Sequence, residues 1–149
     1  MSNFIENDDF IEILLETISS GRDFSFTPTG SSMLPMLDGT TDTVVLSKKP
    51  DVLKKYDVVL YKRKPDDSLV LHRIVKVMGD SLYCMCGDHQ YCFDNNVSYD
   101  DIYAVVTSFT HRGKRYYNTS FAYVVYTRLI LFKKNTRIFI SKIYHKLFK

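Results

Sequence analysis

What most constrains this chain is a succession of short apolar or alternating runs, each closed by tight-turn chemistry. Residues 43–47, 57–62, 69–77, 82–86 and 102–110 each read as a strand, and Phe24 and Phe26 alternate with polar neighbours in the same period of two. Between the runs stand turns such as Lys64-Pro65-Asp66-Asp67, Gly79-Asp80 and His111-Arg112-Gly113-Lys114. Such spacing predicts a mainly β fold: a small, coiled antiparallel sheet or partial barrel. Helices are predicted only at the two ends. Asp8 or Asp9 can cap the first, whose apolar positions Phe10, Ile13, Leu14 and Ile18 follow helical spacing, and Gly21 stands where a helix-ending glycine belongs.

The length of 149 residues suits one domain that can bury a core without covalent staples. An aromatic content of 14% excludes a disordered chain. No run of about 20 uncharged apolar residues occurs, so no transmembrane helix is expected. Glu6, Asp8 and Asp9 stand where a secretory signal would carry basic residues, so none is read there. Cys84, Cys86 and Cys92 are odd in number and close together, which suits reduced thiols in a cytosolic chain better than a disulfide framework. With His89 they spell C-x-C-x2-H-x2-C, a cramped spacing for zinc, so structural thiols are expected and no metal or other cofactor is assigned.

A net charge of +3 hides a division. Residues 1–101 carry all 17 Asp and Glu against 10 Lys and Arg, whereas residues 102–149 carry the other 10 Lys and Arg and no acid. Residues 1–22 are therefore expected to form an N-terminal helix, 23–117 the main domain, and 118–149 a basic amphipathic helical tail, broken near Asn135-Thr136. Three uses of the tail stay open: packing on the sheet, lying in the plane of an anionic membrane, or binding nucleic acid. Membrane contact through residues 121–149 is the external partnership expected, with Phe121, Tyr126, Leu129, Phe132, Phe139 and Phe148 as the apolar face, and nucleic acid ranks below it. The expected location is cytoplasmic, peripheral on the inner face of the membrane.

Four short clusters carry polar groups suited to chemistry: Gly30-Ser31-Ser32-Met33-Leu34-Pro35, Leu71-His72-Arg73-Ile74-Val75, Gly87-Asp88, and Asp94. Each alone is ordinary, since serine and aspartate beside Gly or Pro are turn residues by default. In this order and spacing they resemble the signal peptidase I family, in the archaeal and endoplasmic-reticulum branch that uses His as base. The resemblance covers residues 23–113 and includes Tyr56-Asp57-Val58-Val59-Leu60-Tyr61, with Tyr56 where the family has Gly. It departs again at Gly30, which offers only backbone, and at His89, which follows Gly87-Asp88 where the family has Asn.

The resemblance implies a sheet of the LexA and signal peptidase type. It also implies a serine endopeptidase in which Ser32 is the nucleophile, His72 the general base and Asp94 the acid behind it. Asp88 is a supporting carboxylate, and Gly30, Ser31 and Met33 shape the turn and its oxyanion hole. A serine hydroxyl needs a neighbour to take its proton, and an imidazole with an ordinary pKa near 6.5 can do so at neutral pH. Lys76, four residues beyond His72, is the competing base. The substrate implied is an extended leader, signal or precursor peptide that adds as a strand. Two other classes stay open: a catalytically silent peptide-binding module, and a LexA-like regulatory autoprotease.

Overall fold

The computed structural model describes residues 7–79 and 81–147, except for the side chains of 141–145 and 147. Glu6, Asp80 and Phe148, which figure in the expectations above, lie outside the described residues. Helix α1 spans Asn7–Ser19 and α2 Phe121–Leu147. Between them run eight strands: β1 Phe24–Phe26, β2 Thr43–Lys48, β3 Val58–Arg63, β4 Ser68–Val77, β5 Leu82–Cys86, β6 Asp94–Ser98, β7 Ile102–His111 and β8 Lys114–Tyr117. They form one curled antiparallel sheet in the order β1-β2-β7-β3-β4-β5-β6, with β8 pairing β7. Among the described residues no helix is long and apolar enough to cross a membrane.

β3 and β7 read as continuous apolar runs because both of their faces are covered. Val58, Leu60, Ala104 and Val106 enter one core with Leu14, Ile18, Met33 and Leu37. Their neighbours Val59, Tyr61, Ile102 and Val105 enter a second core with Ile74, Tyr83 and Met85. Asp8 and Asp9 lie in the first turn of α1, where carboxylates favour the helix dipole. The helix ends at Gly21, at φ +79°, with Arg22 N–H donating to Thr17 O.

Three features depart from expectation. β6 and β8 form from Asp-Asn-Asn-Val-Ser and Lys-Arg-Tyr-Tyr, sequences with little apolar alternation. β6 is held by pairing with β5, and β8 by the Arg112-Gly113 turn, both residues having positive φ. The third concerns α2, which runs unbroken through Asn135-Thr136. Neither residue costs a helix more than a fraction of a kcal/mol, about 0.7 at most on propensity scales, and Thr136 Oγ1 bonds back to Phe132 O at 2.9 Å.

Candidate active site

Residues 30–39 form a turn-rich loop held against the sheet by two glycines that permit close approach. A Cβ on Gly39 would sit 2.2 Å from Gly30 O. Gly30 itself is at φ +91°, a conformation glycine adopts freely. On the other side, a Cβ on Gly87 would lie 2.6 Å from Ser32 O and 3.0 Å from Ser32 Cβ. His89 N–H donates to Ser32 O at 2.8 Å. Ser31 is exposed, Ser32 half-buried, and Met33 anchors the loop in the core. Among the described residues Ser32 N–H donates to no protein group.

His72 lies on β4 opposite Val59, with only 2% of its surface exposed. Its Nδ1 is 3.1 Å from Tyr61 Oη and 3.5 Å from Asp94 Oδ2. The second distance exceeds hydrogen-bond range, and Tyr61 Oη fills the gap by donating to Asp94. With the phenolic proton on the carboxylate, Tyr61 Oη can only accept from His72, so Nδ1 carries the imidazole proton and Nε2 the lone pair. Among the described residues no hydrogen bond engages Nε2, although the histidine as a whole is buried. Burial pushes the His72 pKa down to about 4, against the pull of Asp94 and with help from Arg63. The tyrosine is raised, by burial first and Asp94 second.

The structure thus joins His72 to Asp94 through Tyr61, a residue the sequence offered only as a strand position. Ser32 comes to the same end of the β4–β5 pair: Arg73 faces Cys86, and the next residues along, His72 and Gly87, are where the strands part. Among the described residues no hydrogen bond joins Ser32 Oγ to His72.

Asp88 serves the site from behind. Its carboxylate is fully buried and takes both arms of Arg73, Nε to Oδ1 at 2.8 Å and Nη2 to Oδ2 at 2.7 Å. Burial disfavours the charge on Arg73, but Asp88 holds the guanidinium above its ordinary range. The remaining donors go to Tyr56 O, Tyr123 Oη and Met36 Sδ. Tyr126 Oη donates to Asp88 at 2.9 Å. Tyr126 therefore faces inward, not outward with Phe132 as its place in the apolar series suggested. About two turns further on, the buried Lys134 Nζ donates to Gly87 O at 2.6 Å and to Gln90 O.

Lys76 is exposed beyond an irregularity in the β4–β5 register and stands away from this cluster. Cys84 and Cys86 are buried, Cys92 is exposed, and all three are free thiols. Burial pushes the Cys86 thiol up, partly offset by Lys134.

Alongside the site, β4 has an open edge. Ser68–Arg73 pairs β3, but β5 begins its pairing only at Arg73, so residues 68–72 have one neighbour among the described strands. Facing that edge is a cavity of about 90 Å³ lined by Gly30, Ser32, Met33, Leu37, Leu69 and Leu71. Comparison with family models, characterised proteins and solved structures returns no match for this chain.

Proposed function

We propose that the chain is a serine endopeptidase of the signal peptidase type, built on a sheet of the LexA and signal peptidase kind. The observation that carries this reading is the state of His72: Nδ1 is committed through Tyr61 to Asp94, and Nε2 has no partner among the described residues, at the end of the β4–β5 pair where Gly87 meets Ser32. In this reading Ser32 Oγ attacks the carbonyl carbon of a bound peptide while its proton passes to His72 Nε2. The imidazolium returns that proton to the leaving amine. Water then gives a proton to Nε2 and its oxygen to the acyl carbon, and Nε2 returns that proton to Ser32 Oγ as the ester bond breaks, which frees the serine and releases the acid product. Ser32 N–H stabilises the oxyanion.

The open edge at residues 68–72 fits a substrate that adds as an extended strand, whose main chain supplies affinity. The cavity lined by Ser32, Leu69 and Leu71 would receive the side chain beside the scissile bond. Leader, signal and precursor peptides with small residues at the cut are the substrate class.

The test is labelling by a fluorophosphonate together with cleavage of extended peptides carrying Ala or Gly at the cut. Label and turnover should both disappear in Ser32→Ala. His72→Ala should be as slow as the double variant, because the residues act as a unit. A Ser32→Ala protein cleaving at the parent rate sinks the reading, and peptide binding without turnover makes the chain a binding module.

A further inference from the structure

Helix α2 is buried along one side and carries an exposed apolar stripe along the other. Tyr123, Thr127, Leu131 and Lys134 are buried against the body, at spacings of four, four and three. Phe121, Val125, Leu129 and Phe132 repeat the same spacings two residues earlier and are exposed by 84%, 39%, 62% and 71%. Two residues turn a helix by about 200°, so this second stripe points away from the sheet. Phe139 and Ile140, exposed by 63% and 59%, continue it. Among soluble surfaces, aligned aromatic and aliphatic side chains of this size mark an interaction face.

We infer that this outer stripe docks in the plane of an anionic lipid bilayer. Charge selects the occupant. Residues 102–149 hold ten Lys and Arg and no acid, and the exposed Arg128, Lys133, Arg137 and Lys146 lie on the same helix as the stripe. A second copy of α2 packed stripe to stripe would bring like charges together with no carboxylate from either helix to offset them. A nucleic acid would meet phenyl rings and leucine where it needs cations. A leaflet rich in acidic headgroups meets both requirements, since its acyl boundary takes the stripe and its surface attracts the bases. The stripe is free for this role because Tyr123, Tyr126 and Lys134 already fasten the other side of α2 to the body. The docking does not rest on the peptidase reading.

The chain has no tryptophan, so Phe132→Trp supplies a single indole reporter. Its emission should shift to the blue, and the full chain should sediment, with vesicles of phosphatidylcholine and phosphatidylserine. With phosphatidylcholine alone both effects should be weak, and high salt should reverse them. Leu129→Glu combined with Phe132→Glu should weaken sedimentation by about tenfold or more while the circular dichroism and the Ser32 labelling stay as in the parent. Unchanged sedimentation of that variant, equal binding to neutral vesicles, or a dimer in solution with no vesicle binding would each overturn the proposal. Loss of peptidase activity in the parent would leave the vesicle result intact, so the two readings fail separately.

Discussion

At the scale of single residues the site turns on where one proton sits. His72 keeps Nδ1 protonated because Tyr61 has spent its own hydrogen on Asp94, and burial holds the imidazole neutral down to about 4. If His72 is the base of the proposed peptidase, the acid limb of kcat/KM should accordingly fall near pH 4, not near the ordinary histidine value of about 6.5. Replacing Tyr61 by Phe removes the intervening hydroxyl and lets Asp94 turn onto Nδ1 directly. The carboxylate then favours the imidazolium, and the acid limb should move to higher pH in the profile of Tyr61→Phe. A tyrosine that merely filled space would leave the limb in place. Stability follows the same linkage. Between about 4 and about 6.5 the unfolded chain binds the proton that folded His72 refuses, so stability rises with pH through that window and is lost as pH falls. Urea titrations of His72→Gln should show that slope reduced.

Among the elements, the β5–β6 connection has the largest effect on Ser32. Gly87 sits flush on the serine, His89 holds its carbonyl, and Lys134 of α2 fastens the connection from the far side. A methyl group at Gly87 must push against backbone 2.6 Å away, which cannot give as a flexible side chain would. On the proposed peptidase reading, Gly87→Ala should cut kcat/KM by about 10- to 100-fold through misplacement of Ser32, with stability lowered by about 1–3 kcal/mol. Lys134→Met leaves Gly87 O and Gln90 O without their donor and should act in the same direction on kcat/KM. Both are read by peptide cleavage beside a denaturation midpoint, and a Gly87→Ala enzyme with the parent's kcat/KM would detach this connection from the site.

The whole molecule joins what its charge pattern divides. The basic C-terminal third places Tyr123 and Tyr126 on Arg73 and Asp88, so α2 completes the polar centre of the body. Each hydrogen bond to a charged partner contributes about 1.5–3 kcal/mol, so a chain ending at Asn118 should lose several kcal/mol, seen as a lower urea midpoint, and lose turnover with it. The single change Tyr126→Phe should give about one such step. Much of this fold was legible in order: the runs at 43–47, 57–62, 69–77, 82–86 and 102–110 are strands to within a residue or two, because side-chain period is a local property. The two helices announced themselves in the same way. β6 was not legible, since Asp-Asn-Asn has little strand preference and pairs only because β5 presents an edge to it. Nor was Tyr61 as the link between His72 and Asp94, which come together from three strands, nor the side of α2 that would face inward. Sequence by itself determined the periodicities, the turns and the candidate polar residues, all of which depend on neighbours along the chain. Tertiary structure decided which hydroxyl lies between a histidine and an acid, and which stripe of a two-sided helix is covered. Those depend on distances between residues far apart in sequence, set only when the sheet curls.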